Sequence, residues 1–222
     1  MRRSTTTPHA ILGLLALRPR WSTWELTKQM RRNLRFFWPR AESRIFAEAR
    51  RLEADGLARA ERSYVGQRAR TTYSVTDEGM ASLRRWLATP PGPTSLECEP
   101  LLRVILAELS GPDVAEHVGM ALERVRADAH AILDAGRIAG PEYLAGASQF
   151  QDQVHVRALV FDFLSHHARM LLDWADRTEE TIARWPQQSA ADRASAAQAN
   201  IAGYLADFPP SPTAPVKRMP TG

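Results

Sequence analysis

The stretch from Pro39 to Gly79 decides the fold: PRAESRIFAEARRLEADGL (39–57) is followed directly by ARAERSYVGQRARTTYSVTDEG (58–79). The first part places apolar residues on one side of a helix and arginines on the other, and Gly56 is a residue type that commonly ends helices. The second part indicates a strand, a basic connection and another strand, with Thr76 capping a further helix. A helix followed by a β-hairpin and another helix is the order of a winged helix-turn-helix domain.

Two more helices are predicted before this stretch. Thr7 followed by Pro8 is typical of a helix start, and the apolar residues that follow run to Leu17. Ser22 with Glu25 three residues later is a capping box, which opens the second helix. The apolar side of that second helix is expected to include Trp24, Leu26 and Met30.

The third helix, predicted over 40–55, has the pattern of a DNA-reading helix. One side is apolar and consists of Ile45, Phe46, Ala49 and Leu52. The other side consists of Arg40, Ser43, Arg44, Ala47, Arg50 and Arg51. A helix in the major groove reads base edges with the outer residues near its N-terminus, and arginine can bond guanine O6 and N7 together. We therefore expect the first four outer residues to face bases and the last two to face phosphates.

The hairpin supplies a second basic surface. Strands are predicted over 57–65 and 71–75, and 66–70 joins them, so Arg68 and Arg70 are expected at the tip of the wing. There they can reach a phosphate or enter the minor groove, and Arg2 and Arg3 can do the same from the N-terminus. Each arginine taken alone is also explained as a solvated residue or as an ion-pair partner of a carboxylate such as Glu48 or Asp55. The joint pattern of helix face, hairpin and N-terminus favours nucleic acid.

The distribution of charge supports the same interpretation. The formal net charge of the 222 residues is +4. Residues 1–90 contain 18 Arg and Lys against 8 Asp and Glu, while the remaining residues contain 11 against 17. The first part therefore has a net charge of +10 and the second of −6, so a polyanionic partner fits the first part only.

The rest of the chain is predicted to be helical. Thr89-Pro-Pro-Gly-Pro-Thr94 cannot continue a helix and marks a boundary. Beyond it, helices are expected over 100–109, from Asp113 to a turn containing Gly136, Gly140 and Pro141, and over 147–185. The fold class is thus mainly α with a small β-wing: a winged-helix domain over 1–90, a helical dimerisation and effector domain over 95–186, and a low-complexity tail over 187–222 that forms at most two amphipathic turns.

Several classes of protein are disfavoured. No apolar run approaches the length of a membrane span, and the start of the chain lacks the cleavage site of a signal peptide, so a cytoplasmic, nucleoid-associated protein is expected. Cys98 is the single cysteine, which excludes an intramolecular disulfide. His166 and His167 are adjacent and point about 100° apart on a helix, so no metal site or cofactor is predicted. Enzymatic activity is not expected.

By these residues the chain resembles the PadR-like family of bacterial transcriptional regulators. The matching segments are HAILGLLALRP (9–19), STWEL (22–26), FWPRAESRIFAEARRLEADGL (37–57) and RARTTYSVTDEGMASLRRWL (68–87). The family frame is a small-residue pair followed by Tyr-x-x-Leu-x-x-Leu-Glu-x-x-Gly-Leu, and it ends in Tyr-x-Leu-Thr-x-x-Gly. It is met at Leu52, Glu53, Gly56, Leu57, Tyr73, Thr76 and Gly79, while Ala49 stands for its first Leu. Phe46 departs from the frame, because it stands where the family usually has a tyrosine, and this removes a hydroxyl.

The resemblance implies a homodimer that binds double-stranded DNA at a pseudo-palindromic operator and represses transcription until a small molecule releases it. The long predicted helix over 147–185 independently favours dimerisation, since it would span about 55 Å. A small aromatic effector is expected to lie among Trp86, Phe161 and Trp174, although plain core packing also explains these side chains. Two alternatives stay open: an activator of the same fold, and a winged-helix module that binds protein or RNA.

Overall fold

The computed structural model of the chain describes residues 6–39, 42–65 and 68–207. Its helices and strands follow the order α1 Thr6–Ala16, β1 Trp21–Ser22, α2 Thr23–Asn33, α3 Glu42–Ala54, β2 Ala58–Val65, β3 Arg68–Val75, α4 Asp77–Leu87, α5 Glu99–Leu106, α6 Val114–Leu144, α7 Val154–Ile182 and α8 Ala190–Asp207. The strands form an antiparallel sheet in the order β1-β3-β2. The predicted fold class, mainly α with a small β-wing, is confirmed.

The described residues form two compact units. Unit 1 falls within Met1–Glu97 and Asp128–Arg169, and unit 2 within Cys98–Ala127 and Met170–Gly222. Unit 1 thus includes residues from 128–169 in addition to those before Cys98. Both α6 and α7 contribute residues to each unit.

Unit 1 has a core built by the winged helix. The apolar sides of α1, α2 and α3 meet the sheet there, and the core includes Ile11, Leu12, Leu15, Trp21, Leu26, Ile45, Ala49, Leu52 and Tyr73. Phe46, predicted on the same side as Ile45, is only half-buried at the edge. Phe150 from the segment between α6 and α7 is also part of this core, and Tyr143 packs against it. Residues far along the chain thus complete the hydrophobic centre of the winged helix.

The family-frame residues make one joint between α3, the sheet and α4. Gly56 ends α3 with a φ of 73°, and the Leu57 amide donates to the Leu52 carbonyl at 2.9 Å. The Thr76 hydroxyl donates to the Gly56 carbonyl at 2.8 Å and accepts from the Gly79 amide at 3.1 Å. A Cβ at Gly79 would lie 2.0 Å from the Leu57 carbonyl oxygen. Glycine is required at this position because the backbones approach too closely for a side chain.

Two local predictions need correction. The ladder pairs Val65 with Arg68, so β3 begins earlier than predicted and only residues 66–67 lie between the strands. Helix α6 continues through Gly136, where a turn was predicted, and ends at Leu144. The glycine admits the Phe161 ring, whose Cε2 would lie 2.6 Å from a Cβ at that position, so close packing explains why a weak helix former lies within the helix.

The position of Pro141 and the two ends of α7 differ from the predictions. Pro141 lies in the last turn of α6, where it cannot donate the backbone hydrogen bond to the carbonyl of Arg137. The long helix predicted over 147–185 is shorter, because a 3₁₀ turn over Gln151–Gln153 precedes α7 and another over Trp185–Gln187 follows it. The break predicted at Gly111-Pro112 is confirmed, since Gly111 has a φ of 68° inside a 3₁₀ segment.

Unit 2 has its own smaller core. Its buried residues are Ala107, Val118, Leu122, Val125, Ala175 and Ile182. Arg126 on α6 donates to Asp176 on α7 at 2.9 Å and also pairs with Glu179, so the two helices are joined by charge as well as by apolar contact. Helix α8 occupies 18 residues of the segment for which at most two turns were predicted. Its high alanine content explains this, since alanine is the strongest helix former.

Candidate nucleic-acid interface

Helix α3 separates its residues as a DNA-reading helix requires. Its inner side is closed by Ile45, Ala49 and Leu52, each at most 1% exposed. Its outer side leaves exposed Ser43, Arg44, Ala47, Arg50 and Arg51, which are five of the six residues predicted there. The helix is therefore anchored on one side and open on the other. A rigid helix with a free basic face has the shape needed to enter a major groove.

The outer arginines of α3 differ in their partners. Arg51 lies 3.7 Å from the Asp55 carboxylate one turn later, which is the ion pair considered as its alternative role. Within the described residues, Arg44 and Arg50 form no ion pair. Because an exposed pair contributes at most about 1 kcal/mol, a phosphate can displace Asp55 from Arg51. Arg44 and Arg50 are available without displacing a partner among the described residues.

The wing has a structured basic residue in Arg70. Its Nη2 lies 3.5 Å from Oε2 of Glu25, so β3 is joined by charge to the start of α2. On β2, Arg62 pairs with Glu53 at 3.1 Å, and Tyr64 is 77% exposed. An exposed tyrosine beside basic strands is a suitable contact for a sugar-phosphate backbone.

Some predicted residues cannot be placed. Arg40 lies outside the described residues, as do Arg2 and Arg3. Arg68 is the first residue of β3, but its side chain is outside the described part of the chain. Their roles in contacting DNA stay predictions.

Trp24 is an interface candidate that the sequence analysis placed wrongly. It was assigned to the apolar side of α2 but is 67% exposed, with the Lys28 ammonium 5.0 Å from its ring. The helical period predicts the exposure of Trp24, because Trp24 and the buried Leu26 are two residues apart and face nearly opposite directions. An open surface cleft of about 420 Å³ beside it is lined by Ser22, Thr23, Trp24, Glu25, Arg70 and Thr71. This cleft joins the start of α2 to the wing.

The three aromatic residues predicted to hold an effector have different surroundings. Trp86 stacks on His9 with ring centroids 5.0 Å apart and packs against the core of unit 1. Phe161, also in unit 1, is 51% exposed and touches α6 at Gly136. Trp174 packs against the core of unit 2. An effector site among them stays a prediction.

In the described part of the chain, no group of three His, Cys, Asp or Glu side chains is arranged to hold a metal ion. None of the helices of that part has the length and hydropathy needed to cross a membrane.

Comparison with solved structures identifies the fold. The chain superimposes on Bacillus subtilis PadR in complex with operator DNA with a TM-score of 0.65 and 20% identity, covering 81% of this chain and 99% of that one. The PadR-like regulator BC1756 of Bacillus cereus gives a TM-score of 0.64 at 16% identity, over 80% of this chain and 98% of that one. This chain has the PadR-like fold. The resemblance found in the sequence is thereby confirmed at the level of the fold.

Sequence comparison adds a relative whose description concerns transcription. The chain is 28% identical over 189 residues to a mycobacterial protein described as "Probable transcriptional regulator Rv1176c", from Mycobacterium tuberculosis. The match covers 79% of this chain and 96% of that protein. No family model matches the chain. The chain also superimposes on Bacillus subtilis PadR in complex with p-coumaric acid, with a TM-score of 0.57 and 20% identity, covering 82% of this chain and 99% of that one.

Proposed function

We propose that this chain is a sequence-specific, DNA-binding transcriptional regulator. The observation that supports this most directly is α3, whose inner side is sealed into the core while its arginine-bearing side is exposed. The likeness to PadR bound to operator DNA supports the same role. The exposed basic face fits a protein partner less well than it fits a polyanion. An RNA partner is also a poorer fit, because double-stranded RNA hides its base edges in a deep, narrow groove.

We assign the roles along α3 by their distance from its start. Ser43, Arg44 and Ala47 face base edges, where Arg44 can donate two hydrogen bonds to one guanine and Ala47 leaves room for a thymine methyl. Arg50 and Arg51 lie one to two turns later and contact phosphates. The wing contacts the neighbouring DNA backbone through Arg68 and Arg70, and the start of α2 contacts it through Trp24. Arg40 completes the proposed surface.

We propose that the working form is a homodimer. In unit 1, α7 exposes Val156, Leu159, Val160 and Phe163, spaced as one continuous helical stripe. In unit 2, α5 has no buried residue and exposes Leu101, Leu102, Ile105 and Leu106. Monomeric proteins rarely expose apolar stripes of this kind. A second copy of the chain would cover them, and a twofold dimer predicts pseudo-palindromic half-sites about 34 Å apart.

We further propose that this dimer represses transcription in the cytoplasm and that a small aromatic acid releases it. The complex of Bacillus subtilis PadR with p-coumaric acid supports an aromatic ligand class. Tryptophan fluorescence of the protein, and of its Trp86→Phe and Trp174→Phe variants, can be followed during titration with hydroxycinnamic and benzoic acids. If neither fluorescence nor DNA retention responds to any of them, the aromatic effector is ruled out for these ligands. A reporter that is more active without the protein identifies repression, and a less active one identifies activation.

DNA binding itself is tested by fluorescence anisotropy with a duplex from the region upstream of the protein's own reading frame. Arg44→Ala should weaken specific binding by about 5- to 150-fold, which corresponds to the 1–3 kcal/mol of a bidentate arginine-guanine contact. Arg84→Ala is the matched control, since it removes one exposed arginine from α4 of the same unit. Equal weakening by both variants, or equal affinity for all duplexes, would leave only nonspecific attraction between charges.

A further inference from the structure

The Glu25 carboxylate joins three elements of the winged helix. Its Oε2 accepts from the Ser22 amide at 2.7 Å and from the Ser22 hydroxyl at 2.6 Å, which completes the capping box of α2. Its Oε1 lies 2.7 Å from Nη2 of Arg18, which follows α1. Its Oε2 also lies 3.5 Å from Nη2 of Arg70 on β3. One carboxylate thus contacts the cap of α2, the end of α1 and the wing.

The position of Glu25 is fixed through Arg18, which packs on a buried aromatic ring. The Arg18 guanidinium lies 3.7 Å from the centre of the Trp21 ring, and Trp21 is fully buried. Trp21 stacks in turn on Phe150, with centroids 6.5 Å apart. Burial tends to raise the pKa of Glu25, but the hydrogen bonds from Ser22 and the ion pair with Arg18 outweigh it and lower the pKa to about 2. The carboxylate is therefore a fixed negative charge at neutral pH.

Arg70 is the more exposed partner of this ion pair. Its side chain is 48% exposed, against 28% for Glu25, and it lines the cleft beside Trp24 and Thr71. At 3.5 Å the ion pair occupies only part of the guanidinium, which has five N–H donors. An arginine that is already restrained before binding loses less side-chain entropy when a phosphate arrives.

We propose that Glu25 is the positioning residue of Arg70: it holds the wing arginine at the mouth of the cleft, where the arginine receives a DNA phosphate. This inference rests on the proposed function, because Arg70 is taken to contact DNA. The backbone register supports it, since β1 pairs Ser22 with Thr72 and so brings the start of α2 beside the part of β3 that carries Arg70.

Glu25→Gln tests the positioning role in a protein that keeps the cap of α2. Glutamine also completes a capping box, while the negative charge that pairs with Arg18 and Arg70 is lost. Four full-length proteins are compared on the same upstream duplex at one salt concentration: wild type, Glu25→Gln, Arg70→Ala and the double variant. Glu25→Gln should weaken binding about 3- to 10-fold, and it should have no further effect once Arg70 has been replaced.

Glu61→Gln is the matched control for charge. Glu61 lies on β2 of the same unit and pairs with Arg20 at 3.0 Å, so its replacement also removes one carboxylate that has an arginine partner. It should change affinity equally with and without Arg70. Tighter binding by Glu25→Gln, or the same change in both Arg70 backgrounds, would overturn the positioning role while leaving DNA binding intact.

A measurement without DNA separates the positioning role of Glu25 from the proposed DNA-binding function. Nuclear relaxation of the Arg70 side-chain N–H should show restricted motion in wild type and freer motion in Glu25→Gln. Equal mobility in both proteins overturns the positioning role whatever the protein binds. Absence of DNA binding by all four proteins, with Arg70 still restrained by Glu25, overturns the proposed function and the phosphate role of Arg70 with it.

Discussion

Replacing Phe150 tests whether the segment between α6 and α7 is a structural part of the winged helix. Its side chain is 6% exposed and stacks on Trp21, and the Arg157 guanidinium lies over the ring, 4.0 Å from its centre. Replacement of a buried phenylalanine by alanine typically costs about 3–5 kcal/mol. Since Arg157 can fold partly into the space, we expect Phe150→Ala to lower the free energy of unfolding by about 3 kcal/mol.

Urea unfolding followed by tryptophan fluorescence is the appropriate assay, because Trp21 lies directly against the altered site. Far-ultraviolet circular dichroism should give the same midpoint if the winged helix unfolds together with the helices. Tyr64→Ala is the control: it removes an exposed aromatic ring from the same unit and should cost less than about 0.5 kcal/mol. A loss below about 1 kcal/mol for Phe150→Ala would show that the segment merely lies on the winged helix and does not support it.

Three further outcomes are expected. Gly79→Ala should destabilise the protein by more than about 2 kcal/mol in thermal or urea unfolding, because its Cβ would lie 2.0 Å from the Leu57 carbonyl oxygen. Gly13→Ala has open space around it and should stabilise α1 by about 0.5–1 kcal/mol. Because folding lowers the pKa of Glu25 from 4.5 to about 2, its contribution to stability is present above pH 4.5 and is lost as the pH falls towards 2. The free energy of unfolding of Glu25→Gln, measured across this pH range, should lack this contribution of about 1 kcal/mol. Phe163→Glu should give a monomer in analytical ultracentrifugation where wild type gives a dimer, and a wild-type monomer contradicts the dimer proposal.

The parts of the fold that could be predicted depend on short-range signals. The capping box needs only Ser22 and Glu25, three residues apart, and the structure confirms it. The two sides of α3 follow from the helical period alone, and the exposed outer residues confirm that prediction. Thr76 and Gly79 likewise act within one turn at the start of α4. Each of these signals is complete within a few residues of sequence.

The parts that could not be predicted depend on contacts between distant residues. Nothing near Phe150 in the sequence indicates that it packs against Trp21. Gly136, Gly140 and Pro141 suggested an early end of α6, because the sequence does not show that the Phe161 ring packs against Gly136. The pairing of Arg70 with Glu25 requires the register of β1 on β3, which a two-residue strand does not reveal. Only the exposure of Trp24 was missed despite an adequate signal, since the helical period places it opposite Leu26.

The contacts within unit 1 connect the start of α7 to the wing without a gap. Arg157 lies over Phe150, Phe150 stacks on Trp21, and the Trp21 ring carries the arginine that fixes Glu25. Each contact is between groups that are buried or paired. Coupling through such a chain is a physical argument only if both ends change the same equilibrium. Within unit 1, the quantity that both ends would have to change is the position of the Arg70 side chain.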